Sequence, residues 1–208
     1  MLDKLDTIKG KLLIAFLAVA LIPVIALSYL GVNQVKRMTK ENFINSTKKE
    51  IKQADNAINL HFKSVKENCN YLANNKTVKK ADSTITSYLD KTKAEELKLT
   101  PIKNGGIEKD IYSVYKTFAE THPGSAYVYM ATTEGGYIQW PANSVPKNYD
   151  PKERPYYKTA MENKGEVTRT SPYYWSADDK VIVSTVTTIE DETGKVIGVQ
   201  GLDVSLKG

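Results

Sequence analysis

The stretch Val181-Ile182-Val183-Ser184-Thr185-Val186-Thr187-Thr188-Ile189, with the turn Asp191-Glu192-Thr193-Gly194 and the run Lys195 to Leu206 behind it, decides the fold. The first segment is rich in β-branched residues, which suit a pleated, half-buried strand. The polar residues after it end in glycine and make a turn. The last run is apolar on both faces, so it reads as a central strand covered on both sides. Gly165 to Thr170 reads as a shorter strand ahead of this pair. Strands joined by short turns build an antiparallel sheet.

Working toward the N-terminus, Ala126 to Thr132 and Tyr137 to Trp140 flank the turn Glu134-Gly135-Gly136 and predict another strand pair. Ile107, Ile111, Val114 and Phe118 mark an amphipathic helix stopped by Pro123-Gly124. Residues 75–106 predict a helix near Ala81 to Leu89, then a loop through Thr100-Pro101 and Gly105-Gly106. A loop with Pro141, Pro146 and Pro151 leads to a short helix from Pro155 to Asn163. From Asn33 to about Asn74 the pattern is one long helix, with Ile44, Ile51, Ala54, Ile58, Phe62, Val65, Cys69 and Leu72 on it. Its later apolar steps alternate three and four, which places them on one stripe. The resulting order is long helix, helices, strand pair, short helix, three strands: an α+β domain with helices against an antiparallel sheet.

Leu12 to Val32 contains no charged residue and is long enough to span a bilayer core as a helix. A cleaved signal peptide would carry a shorter apolar core and a small-residue cleavage site, and Ala26-Leu27-Ser28 fits that poorly. The expected layout is a short cytoplasmic N-terminus (1–11), a transmembrane helix (12–32), a stalk helix (33–74) that could pair with a second copy, and a folded module (75–208). The net charge of +5 is local: residues 33–52 hold six Lys/Arg against Glu41 and Glu50, while residues 53–208 are neutral. A basic juxtamembrane segment suits lipid headgroups. A nucleic-acid groove would need its basic stripe on the folded domain.

Cys69 is the only cysteine, which excludes a disulfide framework and a cysteine metal site, and its apolar stripe predicts a buried core thiol. There is no nucleophile elbow, metal-ligand spacing or glycine-rich phosphate loop. We therefore expect no enzyme activity, no cofactor and no metal.

One stretch carries recognition chemistry: Tyr149-Asp150-Pro151-Lys152-Glu153-Arg154-Pro155-Tyr156-Tyr157. A residue before proline is pushed toward an extended conformation, and proline suits the first turn of a helix. Arg154 is thus held at a helix mouth, where a guanidinium fits a carboxylate. The competing reading is a surface arginine paired with Glu153 or Glu162. Asp203, in the last strand, is a buried carboxylate in need of a partner, and Gly201 beside it leaves room for something to approach. The cluster Tyr173-Tyr174-Trp175 cannot turn all its rings one way on a strand, so at least one should line a loop or cavity. Aromatic walls with few polar anchors suit a small-molecule pocket.

The membrane anchor, the long helix, the Asp-Pro-x-x-Arg-Pro-Tyr-Tyr run at 150–157 and the Gly201-Leu202-Asp203-Val204-Ser205-Leu206 strand resemble the double Cache sensor domain of bacterial methyl-accepting chemotaxis proteins and sensor kinases. The resemblance implies a PAS-like, membrane-distal, extracytoplasmic module and a homodimer held by the long helices. It implies an amino-acid site in which Arg154, Tyr156 and Tyr157 grip the ligand carboxylate, Tyr149 is the motif's first tyrosine, and Tyr174 and Asp203 surround the ammonium. Two positions depart from the motif: Tyr156 stands for a tryptophan, and Ser176 for an aspartate. The second departure weakens the amino-acid expectation and leaves a carboxylate-bearing small molecule as the broader one. The family expects a membrane-proximal module and a signalling region after these residues. The alternatives are then the sensor region of a histidine kinase or diguanylate cyclase, or an anchored interaction domain without a small ligand.

Overall fold

The computed structural model describes residues 7–89, 96–175 and 179–204. Helix α1 runs Ile8–Ala73. The chain divides into two compact units, 1–59 and 60–208. In the first, α1 carries an 18-residue window of mean hydropathy 2.6, long and apolar enough to cross a membrane, and none of that window is buried.

In the second unit the last turns of α1 bury Val65, Cys69, Leu72 and Ala73, so the three–four stripe faces a core. After a 3₁₀ turn at Val78–Lys80 come β1 (Glu96–Lys98), α2 (Pro101–Asn104) and α3 (Gly106–Thr121). Then follow β2 (Ser125–Thr132), β3 (Tyr137–Trp140) and β4 (Ser144–Pro146). A second 3₁₀ turn, Pro151–Glu153, leads into α4 (Pro155–Glu162). The chain continues through β5 (Thr168–Arg169), β6 (Tyr173–Trp175), β7 (Lys180–Ile182), β8 (Ser184–Glu190) and β9 (Val196–Val204). The main sheet has five antiparallel strands in the order β3-β2-β9-β8-β5. β9 is its middle strand, as its two apolar faces demand. Two-stranded ribbons, β1-β4 and β6-β7, stand apart from it.

Each face of the main sheet has its own core. Val128, Met130, Ile138 and Leu202 pack with Val65, Cys69 and Leu72 of α1 and with Ile111, Tyr115 and Phe118 of α3. Tyr127, Tyr129, Ala131, Tyr137, Val186 and Val199 pack on the opposite face with Tyr149, Tyr156, Tyr157, Ala160 and Trp175. Alternation along β2 assigns the two sets, because successive side chains in a strand point to opposite faces.

Three expectations change. No helix forms over Ala81 to Leu89. Asp82 accepts hydrogen bonds from Thr84 N and Oγ1, a local turn that competes with the helix, and Ser87 and Tyr88 bridge to Gly136 and Tyr149. The segment Gly165 to Thr170 is a strand only at Thr168–Arg169. The run Val181 to Ile189 is two strands broken at Val183: β7 pairs with β6, and β8 pairs with β9. Ser184 is tied at the break, its N–H donating to Thr170 Oγ1 and its carbonyl accepting from Thr170 N.

Candidate ligand site

β2, β3, β8 and β9 bring Tyr127, Tyr129, Tyr137, Gln139, Ser184 and Asp203 to one face of the sheet by strict alternation. Tyr149, Tyr156, Tyr173, Trp175 and Ile182 close over that face and leave a narrow hollow with about 10 Å³ of free volume, room for one water. A larger open groove of about 660 Å³ lies between α1 and α3, lined by Asn68, Tyr71, Ser113, Thr117 and neighbours. That groove has no Asp, Glu, Lys or Arg in its lining, whereas Asp203 lines the aromatic hollow and Arg154 rests against two of its wall rings.

Asp203 forms the floor and is 4% exposed. Its Oδ1 lies 3.1 Å from the Tyr129 hydroxyl, which also lies 2.8 Å from Ser184 Oγ. The Tyr173 hydroxyl is 2.9 Å from the same Ser184 Oγ. Burial pushes the Asp203 carboxyl up to about 7, against the downward pull of hydrogen bonds from Ser184 and Tyr129. Burial likewise pushes the phenols of Tyr129, Tyr137 and Tyr156 well above their usual range, and Tyr149 to about 12. The walls are therefore neutral hydroxyls.

The Tyr129 ring lies against Gly201, where an added Cβ would collide with it. The space expected beside Gly201 is real, but a side chain of this chain fills it.

Arg154 has φ −81° and ψ 147°, the extended conformation that the following proline imposes, and α4 begins at Pro155. Its Cζ is 5.8 Å from the centre of the Tyr149 ring and 5.3 Å from that of Trp175, so the cation rests against two rings that wall the hollow. Its Nε is buried and has no hydrogen-bond partner among the described residues. The pairing with Glu153 or Glu162 is not formed: Glu153 bonds Lys158 Nζ at 2.6 Å. Among the described residues no cation pairs with Asp203 either.

Of the anticipated site residues, Tyr149, Tyr156 and Asp203 line the hollow, with the Tyr149 and Tyr156 hydroxyls 3.3 Å apart. Arg154 borders it. Tyr157 is buried in the same cluster but is not in the lining. Tyr174 is turned away: it is 58% exposed and donates to Asp179 Oδ1 at 3.0 Å. Alternation in β6 is the reason, since Tyr173 and Trp175 point inward and the residue between them must point out. Ser176 lies outside the described residues. The sequence reading missed Tyr127, Tyr129, Tyr137, Gln139 and Ile182, although the Tyr-x-Tyr pattern at 127–129 was a usable sign of one strand face rich in hydroxyls.

A family model described as methyl-accepting chemotaxis protein-like, first PDC sensor domain, matches residues 102–208. The chain belongs to this family. The PDC sensor domain is similar to McpB, a methyl-accepting chemotaxis protein of Bacillus subtilis, at 23% identity over 193 residues, covering 93% of this chain and 26% of the relative. A probable methyl-accepting chemotaxis protein of Bacillus thuringiensis is 26% identical over 199 residues, covering 93% and 26% of the two chains. The chain thus spans about a quarter of the length of these curated relatives. Among solved structures, the ligand-binding domain of the Pseudomonas fluorescens chemoreceptor CtaA in complex with L-serine is 30% identical, with a TM-score of 0.43, covering 48% of this chain and 42% of that one.

Proposed function

We propose that this PDC sensor domain is the extracytoplasmic ligand-binding region of a transmembrane chemoreceptor, and that it binds a small carboxylate-bearing molecule such as an amino acid. In this reading residues 1–11 are cytoplasmic, 12–32 span the membrane, 33–74 form a stalk that pairs with a second copy, and 75–208 are the membrane-distal module. One observation supports the ligand class above the others: among the described residues, a buried guanidinium nitrogen without an acceptor rests against two wall rings of the hollow whose floor is a buried carboxyl without a cation. A zwitterion would serve both. Its carboxylate would take the Arg154 donor, and its ammonium would face Asp203 among π-faces that favour a cation.

The hollow is too narrow for such a guest without movement of a wall. The β6–β7 ribbon supplies Tyr173, Trp175 and Ile182, and among the described residues its strands pair only with each other. Isolated two-stranded ribbons are marginally stable, so this wall is the cheapest to displace. A ligand can shift such an equilibrium only by its differential affinity for the two arrangements. That difference is what a signal through the stalk helix would draw on.

Calorimetric titration of the full chain in detergent with L-alanine, propionate and ethylamine tests the reading. Binding of L-alanine and propionate, weakened about a hundredfold by Arg154→Ala, is the expected result. Failure of wild type to bind any of the three would sink it.

A further inference from the structure

The indole N–H of Trp175 is buried and has no hydrogen-bond acceptor among the described residues. Burying such a donor unpaired is costly, so an unpaired one calls for a physical reason. Packing does not supply it. The ring already makes edge contacts with Tyr127 at 6.5 Å and Tyr149 at 6.2 Å, and phenylalanine would make those contacts without stranding a polar atom. Its position does supply one. Trp175 lies in the wall of the hollow, and the Arg154 Cζ is 5.3 Å from its ring centre. The Arg154 Nε is itself a buried donor without an acceptor. Two stranded N–H groups thus belong to side chains in contact, the Arg154 Cζ lying over the indole ring: one on the residue before α4, one on β6. The Tyr88 hydroxyl, also buried, lies instead beside Thr100 and Asn104, whose hydrogen bonds act on it.

We infer that Trp175 is a specificity-determining residue of this site, its indole N–H and the Arg154 Nε–H together holding one carboxylate of the ligand. Hydrogen bonds of about 2.9 Å each reach from two such neighbouring donors to the two oxygens of one carboxylate. Because Trp175 rides on the β6–β7 ribbon and Arg154 on the α4 side, a bound carboxylate would tie the movable wall to the fixed one. The selectivity that follows is for an anionic group, independent of any ammonium on the same molecule. This rests on the small-carboxylate reading of the hollow.

The test compares wild type with Trp175→Phe and Arg154→Ala in the full chain in detergent, using propionate and L-alanine as probes. Trp175→Phe should weaken both probes about tenfold and to the same degree, since both offer the same carboxylate. In wild type the indole N–H proton resonance of Trp175, identified by its loss in the phenylalanine variant, should move downfield when propionate is added, while that of Trp140 stays in place. An unchanged affinity and an unmoved resonance, with Arg154→Ala still abolishing binding, would overturn the role of Trp175 and leave the site standing. Absence of binding to wild type would overturn both.

Discussion

The two faces of β9 treat their polar residues in opposite ways. On the helix-covered face, Gln200 is fully buried and fully engaged. Its Nε2 donates to the carbonyls of Tyr129 at 3.0 Å and Gly201 at 2.9 Å, and its Oε1 accepts from the Tyr115 hydroxyl at 2.6 Å. Cys69 beside it donates to the Thr185 carbonyl at 3.4 Å, and burial raises its thiol far above the usual range. On the hollow's face, three residues further along the same strand, Asp203 has tyrosine and serine neighbours but, among the described residues, no cation. Arg154 and Trp175 hold donors without acceptors among the described residues. One face is finished by the chain itself, and the other keeps hydrogen-bonding capacity that the fold does not use. A polar group that serves only the fold is satisfied by the fold. The contrast is the physical ground for the proposed site, and it needs no reference to any ligand.

The comparison breaks most visibly at Asp203. Its folded-state pKa, about 7, stands above the ordinary 3.8, so the charged form is the disfavoured one in the fold. The native state binds the proton more tightly than the unfolded state, and stability therefore falls as pH rises from about 4 to about 7. At roughly 1.4 kcal/mol per unit, the cost above pH 7 is about 4 kcal/mol. Asp203→Asn keeps the shape and an acceptor for Tyr129 but never ionises. Its melting temperature should match wild type near pH 4 and exceed it by about 10 °C at pH 8. Thermal unfolding across that range decides: an asparagine variant less stable than wild type at pH 8 would mean that the carboxylate is already compensated.

On the opposite face the sign reverses. Gln200→Leu strands the Tyr115 hydroxyl and removes the donor to two buried carbonyls. It should lower stability by about 2–3 kcal/mol at every pH, or some 6–8 °C in melting temperature. Affinity for L-alanine, measured below the transition, should change by less than about threefold, because no Gln200 atom lines the hollow. A loss of affinity much larger than that would show the two faces to be one coupled unit.

What the sequence made legible followed from periodicity. The three–four stripe at Val65, Cys69 and Leu72 located the α1 face that packs on the sheet, and the two-sided apolar run through Val199 and Leu202 located the middle strand. Pro155 announced both the start of α4 and the extended backbone of Arg154. Legibility ended where a local side-chain bond or a non-local contact overrides the periodic pattern. Asp82 takes its segment out of the helical pattern by bonding Thr84. Val183 interrupts a run that looks continuous, because Ser184 is claimed by Thr170. The space beside Gly201 was visible, but its occupant, the Tyr129 ring, comes from a strand more than 70 residues away, as its 74-residue separation from Asp203 records. Only the cross-strand register, Tyr129 opposite Gly201, places it there.

The smallest effect expected is at Tyr174, and it is the most direct check on the ribbon's parity. The family motif assigns this tyrosine to the ligand, yet the strand turns it outward, where its hydroxyl meets Asp179. That exposed contact raises the phenol above its usual range and holds nothing in the core. Tyr174→Ala should then leave L-alanine affinity within about twofold, and stability within about 0.5 kcal/mol, as surface substitutions away from special features do. Tyr173→Phe alters one atom yet should weaken binding more, because that hydroxyl shares Ser184 with Tyr129 on the floor of the hollow. If the ranking came out inverted, with Tyr174→Ala the damaging change, then β6 would present its other face to the ligand. Trp175 would turn outward with Tyr173, and the indole could not reach the carboxylate. The parity of one three-residue strand thus decides which aromatic side chains form the wall.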